Sequence, residues 1–336
     1  MNKKILITGA SGFIGSFITE LAVDRGFDTY AGVRKSSSKK YLSKPGIQFF
    51  ELDFSDEVSF RSQLSNFKSS HGTFDYIVHC AGVTKCVNKS DFIDVNFLQT
   101  KLFVDTLLDL DMIPTQFLYI STLSVFGPIH EDTYQPISEL DDRQPNTAYG
   151  MSKLKSEQYL ESKIDFPYVI FRPTGVYGPR EADYFLMFKS IKGSVDFSVG
   201  YRKQDLTFVY VKDLAEAIFL AIDKNVKQRA YFLTDGEVYS SRTFSDLIQR
   251  ELGKKFVLHI KSPLFVLKVI SLLAEFFASI SKKSSTLNSD KYKIMKQRNW
   301  QCDITPTIEE LGYKPKYKLE AGVKEAARWY KSEKWI

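Results

Sequence analysis

The sequence predicts an α/β protein built on a doubly wound parallel sheet. From residue 3 to residue 173, strand-like apolar stretches such as "DYIVHCA" and "YVIFRP" alternate with longer stretches of helical periodicity. Parallel neighbours need crossover connections, and helices that alternate with strands cover both faces of the sheet. A glycine-rich turn also separates the first strand from the first helix. Together these observations predict the fold class.

The predicted elements follow one another in a regular order. Residues 3–34 contain a short apolar strand, a glycine turn, a helix and a second strand. In this first helix Phe13, Phe17 and Leu21 recur at i+4 spacing, and Gly26 lies where a C-cap belongs. The same alternation predicts strands at 46–53, 75–81, 116–121 and 168–173, and helices at 57–67, 92–110 and 148–163.

The alternation breaks after about residue 175, in the stretch "GVYGPREADYF". Residues 207–222 and 229–236 have the pattern of a return to the sheet, whereas most of the remainder is helical. We therefore predict a first domain at 1–175, with a return segment at about 206–235, and a smaller, mainly helical lobe at 176–336. The two are interleaved along the chain, and we expect the second lobe to bind the substrate.

Composition and charge exclude several classes of protein. The 336 residues are 43% hydrophobic and 26% charged, which is typical of a globular protein with a substantial core. The net charge of +6 comes from 46 basic and 40 acidic residues that are mixed along the chain, so a nucleic-acid partner is not expected. The three cysteines lack metal-ligand spacing and make a poor disulfide framework. With no export signal at the N-terminus, we predict a reducing cytoplasm and no metal site.

A C-terminal segment at 263–280 is apolar apart from a narrow polar stripe. Lys268, Ser271, Glu275 and Ser279 form that stripe, and basic residues follow it. The segment is too short and too interrupted to span a bilayer. We expect a helix buried against the second lobe, and contact with a membrane surface or a lid over a hydrophobic substrate are the less favoured alternatives.

The stretch "TGASGFIG" carries the first chemical signal. Gly9, Gly12 and Gly15 are spaced so that the backbone can turn sharply and approach a pyrophosphate, while the following helix presents unpaired N–H groups to it. Between a strand and an amphipathic helix, this pattern indicates a dinucleotide-binding Rossmann domain. We expect Ser11, Phe13 and Ile14, from the same turn, to line the cofactor site.

The end of the second strand bears on which dinucleotide binds. NAD-binding folds usually carry an acidic residue there, but the strand ends in "YAGVRKSSS", with Arg34 and Lys35. Cations next to hydroxyls suit a 2′-phosphate. We therefore predict NADP, with NAD as the alternative, although these cations could also belong to a solvated loop.

The next two strand ends add candidate contacts to the cofactor. Asp53, followed by Phe54, could accept a hydrogen bond from the adenine amino group, or could serve only as a turn or N-cap residue. Ala81 and Gly82, in "HCAG", are small enough to let a ribose pass closely. The preceding His79 is expected to be structural.

A hydroxyl cluster and a tyrosine–lysine pair supply the candidate catalytic groups. Ser121 and Thr122 follow the fifth strand at the carboxyl edge of the sheet, and Tyr149 and Lys153 lie four positions apart, on one face of a predicted helix. A phenol has an ordinary pKa of about 10, which an adjacent ammonium and a positive nicotinamide would lower. Tyr149 could then shuttle a proton while a hydroxyl from Thr122 or Ser121 polarises a carbonyl.

These motifs resemble the extended short-chain dehydrogenase/reductases of the NAD-dependent epimerase/dehydratase type. The likeness runs from "TGASGFIG" through "HCAG", "DVNFLQT", "YISTLSVFG", "YGMSK" and "RPTGVYGPR" to "FVYVKDLAEA". It implies that Tyr149 is the acid/base, that Lys153 lowers its pKa and binds the nicotinamide ribose, and that Thr122 orients the substrate. It also implies that Asp53 binds adenine, and we include Arg172 among the cofactor contacts. The resemblance further implies homodimers through the helices that contain Asn96 and Tyr149.

Departures from the family pattern narrow the expected activity. Leu123 and Ser124 stand where the family's dehydratases carry an Asp-Glu pair, and Gly175 replaces the asparagine with which sugar-nucleotide enzymes hold a diphosphate. The C-terminal tail resembles the hydroxysteroid-dehydrogenase and dihydroflavonol-reductase-like branch. We therefore expect an NAD(P)-dependent oxidoreductase that interconverts a ketone and a secondary alcohol on a small hydrophobic molecule. A nucleotide-diphosphate-sugar epimerase or dehydratase with bound NAD is the alternative, and a non-catalytic redox sensor ranks last.

Overall fold

A computed structural model describes residues 2–281 and 288–336 of the chain. The first half contains β1 (Lys4–Thr8), α1 (Phe13–Asp24), β2 (Asp28–Val33), β3 (Ile47–Glu51), α2 (Glu57–His71), β4 (Tyr76–His79), α3 (Ser90–Phe92), a π-helical segment (Ile93–Leu98), α4 (Gln99–Asp109), β5 (Gln116–Ile120), a 3₁₀ turn (Leu123–Val125), α5 (Ala148–Glu161) and β6 (Tyr168–Pro173). These elements agree with the strands and helices predicted from the sequence.

The second half contains shorter strands and more helix. Its elements are β7 (Gly175–Tyr177), α6 (Asp183–Lys192), β8 (Val195–Val199), β9 (Asp205–Leu206), β10 (Phe208–Tyr210), α7 (Val211–Asp223), β11 (Arg229–Leu233), β12 (Tyr239–Ser240), α8 (Thr243–Glu251), β13 (Leu258–Ser262), α9 (Leu264–Ser281), α10 (Ser289–Lys296), α11 (Thr305–Leu311) and α12 (Leu319–Ser332).

Seven of the strands form one parallel sheet in the order β11-β6-β5-β4-β1-β2-β3. The chain builds outward from β1 in one direction through β2 and β3, then returns to β4 on the other side. The crevice between β1 and β4, at their carboxyl ends, is the switch point where such folds bind ligands. The predicted doubly wound fold class is therefore confirmed.

Successive residues of β1 point to opposite faces of the sheet, and each face has its own core. Ile5 and Ile7 pack in a cluster with Ile18 of α1 and Ile218 of α7. Leu6 packs on the other face, in a cluster with residues of α2, α4 and α5, namely Leu64, Phe103 and Leu160. Because both faces of β1 are buried, the strand reads as a continuous apolar run rather than an alternating one.

The predicted return to the sheet is only partly correct. β11 joins the sheet beside β6, and α7 covers one face, but β10 pairs with β7 in a separate two-stranded sheet. Pro173 ends β6, and a proline has no amide hydrogen to continue a ladder. The chain leaves the sheet at that point, and β10 follows β7 into the second lobe.

The second lobe has a core of its own, in which Tyr177, Phe188, Phe244 and Tyr330 are buried together. This core is built from α6, α8 and α12 around the small β10-β7 sheet. The large cavity described below lies between it and the main sheet.

The apolar segment at 263–280 is only partly buried, whereas the sequence predicts a helix buried against the second lobe. In α9 Phe265, Val269 and Leu272 are exposed, while Leu267 and Ser271 are buried. Within the polar stripe Lys268 is exposed, whereas Ser271 is buried and the carboxylate of Glu275 accepts a hydrogen bond from the amide of Ser289 at 3.0 Å. Ser279 lies outside the described side chains. Within residues 2–281 and 288–336, no helix combines the length and the apolar character needed to cross a membrane.

Candidate active site

A cavity of about 1330 Å³ opens at the carboxyl ends of the parallel strands. Its walls come from the glycine turn, the ends of β2, β4 and β5, the start of α5 and the second lobe. The predicted site residues that line it are Gly9, Ser11, Gly12, Phe13, Ile14, Gly15, Arg34, Lys35, Asp53, Phe54, Ala81, Gly82, Ser121, Thr122, Tyr149 and Lys153. The fold therefore brings together residues that lie up to 144 positions apart in the sequence, from Gly9 to Lys153.

The glycine turn is a cradle that side chains would fill. Gly9 has a φ of +65°, in the left-handed region, and a Cβ there would lie 2.8 Å from the amide nitrogen of Ala81. A Cβ on Gly15 would overlap the carbonyl oxygen of Gly9. Gly12 is the N-cap of α1 and offers no side chain, so the first amides of the helix stay available to an anion. These features fit the pyrophosphate of a dinucleotide.

A tight turn after β2 places cations at the edge of the cavity. The amide of Arg34 donates to the hydroxyl of Ser37 at 3.0 Å, and the amide of Ser37 donates back to the Arg34 carbonyl at 2.9 Å. The turn leaves Arg34, Lys35 and Ser36 exposed along the cavity wall. A guanidinium, an ammonium and a hydroxyl are groups that suit a phosphate.

Asp53 contributes both to a local turn and to the cavity wall. Its Oδ1 accepts hydrogen bonds from the Ser55 amide at 3.0 Å and the Ser55 hydroxyl at 2.6 Å. These bonds, with a smaller contribution from the charge of Arg34, hold the pKa of Asp53 below its usual value. The carboxylate is therefore ionised at neutral pH and able to accept a further hydrogen bond.

His79 is buried, and both ring nitrogens have partners. Nδ1 lies 2.7 Å from the hydroxyl of Thr8, and Nε2 lies 3.0 Å from the hydroxyl of Thr100. The Thr100 hydroxyl donates to the carbonyl of Asn96, so it accepts from Nε2 and fixes one neutral tautomer. Burial, aided by the charge of Lys153, lowers the pKa of His79 to about 3. This geometry supports the structural role expected for His79.

Tyr149 and Lys153 lie on one face of α5, close to its beginning. The hydroxyl of Thr147 caps the helix by accepting from the amide of Gly150 at 3.0 Å. A Cβ on Gly150 would lie 2.6 Å from the carbonyl oxygen of Ser124, so the helix packs directly against the loop after β5. This close approach brings the phenol and the ammonium to the same part of the cavity as Thr122.

The structure changes the sign predicted for the pKa of Tyr149. Burial raises this pKa above 10.0, although the charge of Lys153 and a hydrogen bond involving Thr122 act in the opposite direction. Burial also lowers the pKa of Lys153, against the raising effects of Tyr149, Cys80 and Glu157. The charge of Lys153 therefore lowers the pKa of Tyr149 as predicted, but desolvation of the phenol raises this pKa by more.

The two candidate hydroxyls after β5 have different surroundings. The Ser121 hydroxyl donates to the carboxylate of Glu157, so its proton is committed to a buried anion. The Thr122 hydroxyl donates to that of Ser124 at 3.2 Å, and this partner is neutral and half-buried. Thr122 is thus the better placed of the two to donate to a substrate oxygen.

Arg172, which the sequence analysis includes among the cofactor contacts, lies outside the wall of the cavity. Arg172 is 4% exposed and does not line the cavity. Its Nη2 donates to the carboxylate of Glu157 at 2.8 Å, and its guanidinium lies 5.3 Å from the centre of the Phe126 ring. A cation in such apolar surroundings needs a counter-charge, and Glu157 supplies it.

Two residues that hold the site together were missing from the predicted site. Asn96, in the π-helical segment, accepts from the amide of Val83 at 2.7 Å and donates to the hydroxyl of Ser152 at 3.0 Å. It therefore fastens the loop after β4 to α5, and its place in "DVNFLQT" was the available signal. Asp290 of α10 accepts from the amide of Ala148 at 2.7 Å, a contact over 142 positions that no local pattern could reveal.

Aromatic side chains from the second lobe occupy the space beside Gly175. A Cβ on Gly175 would overlap the hydroxyl of Tyr184 and lie 3.0 Å from Cδ1 of Phe208. Tyr184 stacks on Phe244 with ring centroids 5.0 Å apart. Tyr184, Phe208 and Phe244 all line the cavity, so this wall is apolar except for one phenol. In the described ranges, 2–281 and 288–336, no group of three His, Cys, Asp or Glu side chains could hold a metal ion.

Comparisons with known proteins agree with this geometry. The model of the NAD dependent epimerase/dehydratase family matches residues 5–233. The UDP-glucose 4-epimerase of Vibrio cholerae is 24% identical over 98% of this chain and 95% of its own length. The sterol-4-alpha-carboxylate 3-dehydrogenase, decarboxylating, of Dictyostelium discoideum is 26% identical over 87% of this chain and 94% of its own.

Solved structures show the same fold. The UDP-glucose 4-epimerase of Thermotoga maritima, solved with UDP-glucose, superposes with a TM-score of 0.78 at 21% identity. The match covers 99% of each chain.

Proposed function

The chain belongs to the NAD dependent epimerase/dehydratase family, and from this we propose that it is an NAD(P)-dependent oxidoreductase that interconverts a ketone and a secondary alcohol. The observation that carries the proposal is the cavity itself. A glycine cradle for a dinucleotide forms one part of it, and Tyr149, Lys153 and Thr122 form another. When bound, the nicotinamide would supply or accept the hydride.

Three side chains of this cavity would have different roles in such a reaction. Tyr149 holds a proton at neutral pH, because the ordinary pKa of a phenol is about 10 and burial raises it further, and it would donate that proton to the substrate oxygen in the direction of reduction. The ammonium of Lys153 would stabilise the phenolate that remains. Thr122 would donate a hydrogen bond to the same substrate oxygen and fix the substrate's orientation.

The cofactor we propose is NADP. Arg34, Lys35 and Ser36 lie at the cavity edge after β2, where an NAD-binding fold would usually carry a carboxylate. Replacing Arg34 by Ala is expected to weaken NADPH binding by about 10- to 100-fold, the worth of one charge-assisted contact, while NADH binding changes little. Fluorescence titration with both cofactors measures the difference, and equal losses for the two would contradict a 2′-phosphate contact.

The substrate we propose is small and rather apolar. Two observations support this choice: the aromatic wall of Tyr184, Phe208 and Phe244 beside Gly175, and the absence of an acid pair after Thr122 in the sequence. Elimination chemistry would need a carboxylic acid at that position, whereas a simple hydride transfer would not.

The second candidate is a nucleotide-diphosphate-sugar epimerase that retains NAD. The name and near full-length coverage of the Vibrio cholerae relative favour it. The two candidates differ in what the purified protein carries. Mass spectrometry of cofactor released by denaturation would find NAD at near stoichiometric amounts for an epimerase, and little or no retained NAD for the oxidoreductase. Binding of a uridine or thymidine diphosphate sugar would likewise support the epimerase.

Turnover of NADPH or NADP at 340 nm, with a panel of hydrophobic ketones and secondary alcohols, tests the oxidoreductase directly. Tyr149→Phe is expected to lower turnover by about 10²- to 10⁴-fold and to leave cofactor binding intact. Tyr159→Phe is the matched control, because Tyr159 and Lys163 repeat the same spacing further along the chain and Tyr159 bonds to Asp105. Equal turnover of the Tyr149 variant and the control would contradict the assigned role.

We also propose a homodimer through α4 and α5. Leu98, just before α4, and Met151 of α5 are exposed apolar side chains in this region. Light scattering of the purified protein measures the assembly, and Met151→Lys should shift a dimer toward the monomer. A monomeric wild-type protein would contradict the proposal.

A further inference from the structure

The outward face of α9 is apolar. Phe265 is 70% exposed, and Val269 and Leu272, at i+4 and i+7 from it, are each about half exposed. Ile270 and Leu273 widen this exposed band to neighbouring positions on the helix. Water-facing helices of a globular protein ordinarily carry polar residues on this side. The water-facing side of α9 is therefore unusually apolar.

The inward face of α9 carries one buried polar and one buried apolar residue, Ser271 and Leu267. It borders a separate cavity of about 400 Å³, which Ser271 and Tyr292 line together with the exposed side chains of Lys268 and Leu272. Ser271 is buried and donates to the carbonyl of Leu267 at 2.7 Å. The packing of the second lobe thus does not require the exposed apolar residues of α9, and their exposure needs another explanation.

The two-stranded sheet that precedes α9 extends the apolar surface. Leu258 and Ile260 of β13 are exposed, and Phe197 of β8, the register partner of Ile260, is 63% exposed at the edge of the large cavity that it also lines. Leu258 and Ile260 lie two positions apart, so they share one side of the strand. β13 ends at Ser262 and α9 begins at Leu264, which joins the two surfaces. We call the exposed set the apolar face; it consists of Phe197, Leu258, Ile260, Phe265, Val269 and Leu272.

The exposed charged side chains in the two segments that carry the apolar face are of one sign. Within 192–203 and 254–275, every exposed Asp, Glu, Lys, Arg or His side chain is basic: Lys192, Arg202, Lys203, Lys255, His259, Lys261 and Lys268, of which Lys203 is paired with Asp205 at 2.8 Å. The acidic residues of these segments each have a basic partner. Asp196 is buried with its Oδ2 at 3.0 Å from Nδ1 of His259, and Glu275 pairs with Lys89 at 3.2 Å. A large apolar surface with a cationic border complements an anionic lipid surface.

We propose that the apolar face docks on an anionic lipid bilayer, with its apolar side chains at the boundary between headgroups and acyl chains and its lysines on lipid phosphates. A second copy of the chain fits the same surface less well. In a two-fold symmetric interface the same patch faces itself, so the basic borders of both copies would meet and repel. The inference rests on exposure and charge alone and does not depend on the proposed function.

Vesicle flotation of the full chain tests the proposal. We expect binding to vesicles that contain phosphatidylglycerol in phosphatidylcholine, weaker binding to phosphatidylcholine alone, and weakening by salt. Replacing Phe265, Val269 and Leu272 together by Ser should lower the partition coefficient by about a hundredfold. Lys261→Glu combined with Lys268→Glu should lower it at least about tenfold on anionic vesicles, because each basic residue contributes near the surface.

The matched control is Leu140→Ser with Ile164→Ser. These side chains are 91% and 82% exposed and lie outside the apolar face. The control should bind vesicles like the wild type, and thermal unfolding of each variant separates loss of binding from loss of fold. Three outcomes would overturn the proposal: no preference for anionic vesicles, equal binding by the triple variant and the control, or a dimer that the triple variant dissociates without any vesicle binding.

Discussion

The buried carboxylate of Glu157 offers the sharpest test of how the site is held. It accepts from Arg172 at 2.8 Å, from Arg143 at 2.8 Å and from the hydroxyl of Ser121. Arg143 has a second partner, since it also donates to both carboxylate oxygens of Glu161 at 2.8 and 2.7 Å. Arg172 is the more dependent of the two cations, because its Nη2 lies 3.6 Å from Glu161, its second carboxylate partner, and its surroundings are aromatic.

Glu157→Ala is therefore expected to be strongly destabilising. Removing one partner of a buried ion pair leaves an uncompensated charge and costs about 3–5 kcal/mol, a large share of the roughly 5–15 kcal/mol by which a native protein is stable. Urea denaturation followed by circular dichroism measures this loss as a lower transition midpoint at an unchanged slope. The side chain of Arg172, which is 4% exposed, cannot reach water without opening the core.

The matched variant removes both charges. Glu157→Leu with Arg172→Leu leaves no unpaired ion in the core, and replacing a buried pair by apolar residues is often close to neutral. The double variant should recover most of the stability lost in Glu157→Ala. A loss below about 1 kcal/mol for Glu157→Ala, within the range of an exposed pair, would refute the reasoning, as would a double variant less stable than the single one.

Three further predictions follow from the geometry. The pKa of His79 is about 3 in the folded chain and about 6.5 in the unfolded chain. As the pH drops below 6.5 the unfolded chain therefore takes up a proton that the folded chain does not, and the free energy of unfolding falls. His79→Asn should reduce this fall by about 2 kcal/mol between pH 6.5 and 4.5. Gly15→Ala, whose Cβ would overlap the Gly9 carbonyl, should weaken NADPH binding at least about tenfold by fluorescence titration, and unchanged affinity would contradict the cradle. Gly175→Ala should lower the melting temperature because its Cβ would overlap the Tyr184 hydroxyl. Combining it with Tyr184→Phe should recover part of the loss, with a coupling energy of about 1 kcal/mol between the two substitutions. Strictly additive effects of the two substitutions on stability would contradict the contact.

Local patterns were sufficient for much of the fold and for many residues around the cavity. The strands and helices up to Pro173 depend on apolar periodicity, and the glycine turn depends on spacing within eight residues. Both kinds of signal lie in the sequence itself. Because the carboxyl ends of parallel strands meet at one edge, Thr122 and Tyr149 could be placed near the turn before any contact was known.

The points at which the structure differs from the sequence-based predictions share a physical cause. Each of them depends on which residues from distant parts of the chain pack against the residue or helix concerned. Arg172 begins the stretch "RPTGVYGPR", which the family resemblance includes, but its guanidinium is paired with the buried carboxylate of Glu157. Burial raises the pKa of Tyr149, and the extent of burial cannot be predicted from the neighbouring Lys153 alone. In α9 the periodicity gave two faces correctly, yet it could not tell which of them meets water.

The bond between Asp290 and the amide of Ala148 joins α10 to the first residue of the helix that carries Tyr149. Lys293 of α10 reinforces the joint by donating to the carbonyl of Asn146 at 2.6 Å. α10 also lines the large cavity through Ile294 and Met295. A molecule that pushes α10 outward must either break this joint or tilt the beginning of α5. Binding of a molecule against α10 is thereby coupled to the orientation of the Tyr149 phenol.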